Sequence, residues 1–143
     1  GRELLRSGNL EEAYPHLAVA ARDLPDRADI RAALGTILAA RGKFDEARIH
    51  LAEAVRLAPD EANTHSNLGF GLLRLGHVDE AVSQCVEALR LKPDHTEAHY
   101  NLGMAFLAKG DRTQAVAELN KTLALNPGHP AARAALDRLQ AAR

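Results

Sequence analysis

Apolar residues recur three and four positions apart along almost the whole chain, in blocks separated by short polar breaks. This spacing places the apolar side chains on one face of a helix and the polar side chains on the other. The pattern predicts first helices at residues 1–7, 28–41, 62–75 and 96–109, and second helices at residues 11–24, 45–57, 79–91 and 113–125.

The pattern repeats with a period of 34 residues, which is marked by Pro25, Pro59, Pro93 and Pro127. Other columns keep the same spacing: Gly1, Gly35, Gly69 and Gly103; Gly8, Gly42, Gly76 and Gly110; and Ala13, Ala47, Ala81 and Ala115. A period of this length is typical of stacked helical hairpins. We expect small residues such as Gly69 and Ala81 where the two helices of a hairpin touch.

Helix ends carry chemical signals as well. Acidic pairs such as Asp79 and Glu80 stand in the first turn of the second helices, where the helix dipole favours negative charge. Each closing proline disfavours helix at the residue before it. Asp60 and Asp94, which follow two of these prolines, are expected to cap the next helix.

The columns resemble the tetratricopeptide repeat family along essentially the whole chain. The matching residues are Leu34-Gly35 with Leu38, Leu68-Gly69 with Leu72, Leu102-Gly103 with Phe106, the alanines Ala47, Ala54, Ala81, Ala88 and Ala115 with Thr122, and the closing prolines. The chain departs from the family where Arg31, His65 and His99 replace an aromatic residue and where Leu38 and Leu72 replace another. Less aromatic area is therefore expected between the helix pairs.

The resemblance implies an all-α fold, a right-handed α-solenoid that forms one domain over residues 1–143. Its expected parts are a truncated first repeat (1–27), a second (28–61), a third (62–95), a fourth (96–129) and a capping helix (130–143). Asp137, Arg138 and Gln140 supply the polar surface that the end of a repeat array needs. Because Gly1 enters part-way through a repeat, we expect the natural protein to extend upstream.

First helices line the concave face of such a solenoid, which is where repeat proteins bind partners. The resemblance implies that Asn67 and Asn101 occupy one inward column, which in some family members holds an extended peptide by its main chain. An amide can donate and accept at once, which suits this role. The alternative is that both asparagines bond within the fold.

An apolar group is expected on the same face, formed by Phe70, Leu73, Tyr100, Met104 and Leu107. Exposed apolar patches mark contact surfaces, and methionine adapts its shape to a ligand. With Arg74, Arg138 and the inward-facing Asn63 and Ser66, this predicts a groove for an amphipathic helix or a peptide of some acidic character. The alternative is that Leu73 and Leu107 are partly buried between neighbouring first helices.

One well-known family site does not fit. The clamp for a terminal carboxylate needs a Lys and an Asn on one first helix, but the second unit offers Ala32 and Thr36, and the third offers Ser66 and Phe70. Binding of chaperone tails is therefore disfavoured.

Composition narrows the remaining options. A formal charge of -1, from 18 basic and 19 acidic residues, gives no general attraction to nucleic acid or anionic membranes, and no segment is predicted to span a membrane. Cys85, the single cysteine, aligns with core leucines and forms no disulfide framework. His65 and His99 lack a third ligand, so no metal or other cofactor is predicted.

No nucleophile and base converge, so no catalysis is predicted. The sequence therefore favours a protein-protein interaction scaffold whose partner is a protein or peptide. Two alternatives stay open, a homo-oligomer assembled through the amino-terminal end or the groove, and the recruiting arm of a larger enzyme such as a glycosyltransferase or sulfotransferase. The compartment is left open, with a slight preference for the cytoplasm.

Overall fold

The computed structural model describes residues 10–142, and in this part of the chain all regular structure is helical. The helices are α1 (Leu10–Asp23), α2 (Ala28–Ala40), α3 (Phe44–Leu57), α4 (Ala62–Arg74), α5 (Val78–Leu91), α6 (Thr96–Ala108), α7 (Arg112–Leu125) and α8 (Pro130–Ala141). The all-α solenoid predicted from the repeat is confirmed, and α1 to α7 begin and end within one residue of their predicted bounds. The helix predicted at residues 1–7 lies outside the described residues.

The turn inside each hairpin is made by a glycine with left-handed backbone geometry. Gly42, Gly76 and Gly110 have φ values of 78°, 85° and 82°. In the second repeat the Gly42 N–H donates to Ala39 O at 3.0 Å and the Lys43 N–H donates to Leu38 O at 2.9 Å. This pair of bonds is the Schellman pattern, which requires a residue without steric cost at positive φ. The glycine column therefore ends each first helix and begins the turn that leads into the second helix.

The two helices of a hairpin touch at the small columns. Ala47, Ala81 and Ala115 are all 0% exposed. A Cβ atom added to Gly69 would lie 2.8 Å from Cys85 Sγ, closer than packed atoms allow. The predicted contact at Gly69 and Ala81 is thus confirmed, and so is the core position of Cys85, which is 0% exposed.

The predicted caps at Asp60 and Asp94 are wrong. The residue in the capping position of α4 is Glu61, whose side chain makes no cap bond. In α6 it is His95, whose Nδ1 accepts from the Ala98 N–H at 3.1 Å. In both helices the extended backbone falls on the residue after the aspartate, so the side chain placed to cap the first turn belongs to that residue, and of the two only His95 makes the bond.

Helix α8 covers the carboxyl-terminal end of the array. Its Ala132, Ala135 and Leu136 are buried in a cluster with Leu119 of α7. Asp137, Arg138 and Gln140 are exposed on the opposite side. This division of apolar and polar faces is that of a capping helix.

Candidate functional site

A groove runs between the carboxyl-terminal ends of two neighbouring first helices, α4 and α6. Its lining residues are Leu73, Arg74, Met104, Leu107 and Ala108, and its volume is about 550 Å³. We call it the first-helix groove. The structure thus brings together four of the residues singled out in the sequence. Leu73 and Leu107 are half-buried, so the expected packing between first helices leaves part of each side chain in contact with solvent.

Arg74 is the cation of this groove. Its guanidinium carbon lies 5.3 Å from the centre of the Phe44 ring, within the range of a cation–π contact. The Phe44 ring also meets Phe70 edge to face, with the ring centres 5.8 Å apart. Within residues 10–142 Arg74 has no carboxylate partner. The aromatic pair therefore holds an unpaired positive charge at the edge of an apolar surface.

Two aromatic candidates serve mainly in packing. Phe70 is half-buried against Phe44. The Tyr100 ring lies 4.9 Å from the His129 ring, between α6 and the capping helix, and packs on the cluster around Leu136. Burial, with a smaller contribution from Glu97, raises the pKa of Tyr100.

The asparagine column links neighbouring first helices. Asn67 Nδ2 donates to Thr36 Oγ1 at 3.1 Å, which joins α4 to α2. Asn101 Nδ2 donates to the carbonyl and the hydroxyl of Ser66, both at 3.3 Å, which joins α6 to α4. Asn101 is 5% exposed and Ser66 is 1% exposed, whereas Asn67 is half-buried. The amides thus bond within the fold, and their part in holding a peptide stays a prediction.

The last candidate, Asn63, lies at the other end of α4 from the first-helix groove. Its Oδ1 is 2.6 Å from His95 Nε2. In the next repeat Glu97 Oε1 is 2.8 Å from His129 Nε2, and His129 Nδ1 accepts from the Ala132 N–H at 3.1 Å. Each histidine therefore caps its own helix with one ring nitrogen and contacts the preceding first helix with the other.

A second set of polar contacts was not predicted. In the second, third and fourth repeats, a polar residue stands where the family has an aromatic one. This polar side chain makes two contacts, one with the carbonyl oxygen of a closing proline and one with a side chain of the second helix. His65 meets Pro59 O at 2.7 Å and Gln84 Oε1 at 2.8 Å. His99 meets Pro93 O at 2.8 Å and Glu118 Oε2 at 2.6 Å.

The second repeat builds the same link with different groups. Arg31 Nε donates to Pro25 O at 3.3 Å, and its NH1 is 3.2 Å from His50 Nδ1. The available sequence signal was that positions 31, 65 and 99 carry polar residues where the family has an aromatic one, while positions 50, 84 and 118, at the same 34-residue spacing, also carry polar residues. We call these three sets the proline bridges. They replace lost aromatic area by hydrogen bonds.

Histidine, cysteine and carboxylate side chains are the usual ligands of metal ions. Within residues 10–142, no three histidine, cysteine or carboxylate side chains gather as metal ligands. His65 and His99 are both engaged in the proline bridges. Burial raises the pKa of Cys85 to about 12, so its sulfur stays a thiol at neutral pH.

None of the helices in residues 10–142 combines the length and the apolar character needed to cross a membrane.

Several solved structures superpose on this chain. One is YrrB, described as a TPR protein with an unusual peptide-binding site, which superposes with a TM-score of 0.81 at 28% identity over 94% of this chain and 69% of that one. MamA superposes at 0.79 with 21% identity, over 91% and 76% of the two chains. The first TPR of Spaghetti (RPAP3), solved with the HSP90 peptide SRMEEVD, superposes at 0.75 with 24% identity, over 80% and 91%. At these identities, MamA and the RPAP3 repeat show a shared fold alone.

No curated protein matches the sequence significantly. The family model described as tetratricopeptide repeat matches residues 4–66 and 72–139, which is most of the chain. With the 34-residue period, the glycine turns and the stacked hairpins, this match shows that the chain belongs to the tetratricopeptide repeat family.

Proposed function

We propose that this chain is a protein-interaction module that binds a peptide segment or an amphipathic helix of a partner protein in the first-helix groove. The observation that carries the proposal is the combination of apolar Leu73, Met104 and Leu107 with the unpaired charge of Arg74 in one open surface of about 550 Å³. Peptide grooves in general pair apolar anchors with a few placed polar groups.

The chemistry of the groove defines the ligand. Aliphatic side chains three or four residues apart on a helix would bury against Leu73 and Leu107, and each fully buried one contributes about 1.5–3 kcal/mol. A carboxylate beside them would meet Arg74, and bonds to charged groups contribute about 1.5–3 kcal/mol. After the cost of association, a micromolar dissociation constant, about -8 kcal/mol, is expected.

Two relatives support a binding role in general terms. YrrB is described as having a peptide-binding site, and the RPAP3 repeat was solved with an HSP90 peptide. The chaperone peptide is not the ligand we propose here. Ala32 and Thr36 stand where the carboxylate clamp of the family needs a lysine and an asparagine, so an internal segment is favoured over a chain terminus.

Peptide display followed by NMR mapping tests the proposal. Peptides selected from a random library on the intact chain are expected to be rich in Leu, Ile, Asp and Glu. Their addition should shift the amide signals of residues 73–74 and 104–108 and leave those of residues 32–40, the equivalent face of α2, in place. Shifts confined to α2 or to the second helices would contradict the groove assignment.

A further inference from the structure

A second groove lies on the side of the second helices, between α3 and α5. Arg48, Ile49 and Ala52 form one wall, Glu80 and Gln84 form the other, and Leu68 and Leu72 of α4 form the floor, around a volume of about 330 Å³. We call it the second-helix groove. It shares no lining residue with the first-helix groove.

Two residues of this groove differ from their equivalents in later repeats. Arg48 stands where Val82 and Val116 stand in the next two repeats. Leu72 stands where the fourth repeat has the larger Phe106, which leaves space above the floor. Beside Arg48, Ile49 is 62% exposed, the highest value among the large apolar residues that the structure leaves exposed in residues 11–142.

Neither charge of the groove is paired with a lysine, arginine or carboxylate among residues 10–142. Arg48 Nε is buried and has no hydrogen-bond partner. Glu80 has a single long contact, 3.7 Å from its Oε1 to His77 Nδ1. Although both line the same groove, Arg48 and Glu80 form no ion pair with each other. Because Nε itself is closed to solvent, a carboxylate from outside would pair with the terminal nitrogens of the Arg48 guanidinium.

From these features we infer that a second copy of this chain docks on the second-helix groove. The occupant must offer a carboxylate to Arg48, a cation to Glu80 and an apolar recess to Ile49. The groove itself presents all three. In a two-fold dimer the same patch meets itself, so Arg48 of each copy faces Glu80 of the other. Ile49 of each copy then fills the space above Leu72 of the other.

Sedimentation equilibrium over a range of concentrations tests the dimer. The wild-type chain is expected to gain mass with concentration. Glu80→Arg alone and Arg48→Glu alone should each raise the dimer dissociation constant at least about tenfold, because each places like charges opposite one another twice per dimer. The double swap, Arg48→Glu with Glu80→Arg, should restore dimerisation, since it exchanges the charges and preserves their pairing.

Matched controls separate the groove from the rest of the surface. Glu46 is the repeat equivalent of Glu80 and does not line the groove, so Glu46→Arg should leave the mass profile unchanged. Arg74→Glu, in the first-helix groove, should also leave it unchanged. Thermal melts identify any variant that fails to fold. A monomeric wild-type chain at every concentration, a double swap that stays dissociated, or equal loss in Glu46→Arg would each overturn the inference.

Discussion

The second and fourth repeats share one backbone design but present different concave surfaces. At equivalent positions α2 carries Ala32, Thr36 and Ala39, whereas α6 carries Tyr100, Met104 and Leu107. Three of the columns that build the hairpins are the same in both repeats: Gly35 and Gly103, Gly42 and Gly110, and Ala47 and Ala115. The solenoid therefore constrains the contact columns and leaves the concave columns free to vary. Large apolar side chains are concentrated between the third and fourth repeats, where we propose that the partner binds.

The proline bridges differ between these repeats in the same way. The second repeat joins its loop to α3 through Arg31 and His50, and the fourth joins its loop to α7 through His99 and Glu118. The side chains of His99 and Glu118 are only 10% and 13% exposed. The fourth repeat thus depends on a more deeply buried polar pair.

Removing the bridge is expected to give the largest difference between the repeats. His99→Ala removes two hydrogen bonds and leaves Glu118, in a largely buried site, with Lys121 Nζ at 3.3 Å as its remaining ion-pair partner, so we expect a loss of about 2–3 kcal/mol. Arg31→Ala, at the equivalent and more exposed position, should cost about 1 kcal/mol. Urea unfolding of both variants measures the two losses. Equal losses would show that the buried pair adds nothing beyond an ordinary hydrogen bond.

The hairpin contacts give a smaller difference. A Cβ atom on Gly35 would lie 2.8 Å from Leu51 Cδ2 and overlap its branch carbon, whereas one on Gly103 would lie 3.1 Å from Leu119 Cγ. We expect Gly35→Ala to cost about 2 kcal/mol by overpacking and Gly103→Ala to cost less.

Gly71→Ala is the matched control for both substitutions. Gly71 also lies within a first helix, but an added Cβ there meets nothing within 4 Å. This variant should gain up to about 1 kcal/mol from helix propensity. Thermal melts followed by circular dichroism rank the three variants, and a ranking with Gly71→Ala as the least stable would contradict the packing account.

The smallest expected difference between the two repeats is in how the free energy of unfolding depends on pH. Burial, aided by the charge of Arg31, lowers the pKa of His50 below its usual 6.5. Above pH 6.5 the His50 side chain is mostly neutral in both the folded and the unfolded chain. As the pH falls below 6.5, the unfolded chain takes up the proton first, and the free energy of unfolding decreases. The equivalent position in the fourth repeat carries Glu118 in place of a histidine.

Replacement of the histidine tests this assignment. His50→Gln should reduce the loss of unfolding free energy between neutral pH and about pH 5, while His95, whose pKa burial also lowers, still contributes to that loss. An NMR titration of the folded chain should place the midpoint of His50 below 6.5. A midpoint above that value would mean that His50 gains a proton on folding.

The repeat columns were sufficient to predict the helices, the turn glycines and the core position of Cys85, because these features depend on backbone geometry that every unit shares. Caps and polar contacts were not predictable in the same way. The cap of α6 fell on His95 and not on Asp94, since one residue of backbone extension decides which side chain reaches the free N–H groups.

The candidate site was predicted in part. Leu73, Arg74, Met104 and Leu107 meet in one groove. The burial of Asn101 could not be predicted, because it depends on how closely α6 approaches Ser66 of α4. Distances between repeats depend on how whole helices pack, so they cannot be predicted from the residues at one repeat position.

The central claim is that the third and fourth repeats, and not the second, hold the partner. Fluorescence anisotropy with a display-selected acidic peptide compares Arg74→Glu with Ala40→Glu, which introduces the same residue at the equivalent exposed position of α2. We predict that Arg74→Glu weakens binding at least about tenfold, the effect of replacing an attractive charge by a repulsive one, and that Ala40→Glu changes it little. Loss of binding in Ala40→Glu with full affinity in Arg74→Glu would contradict the account.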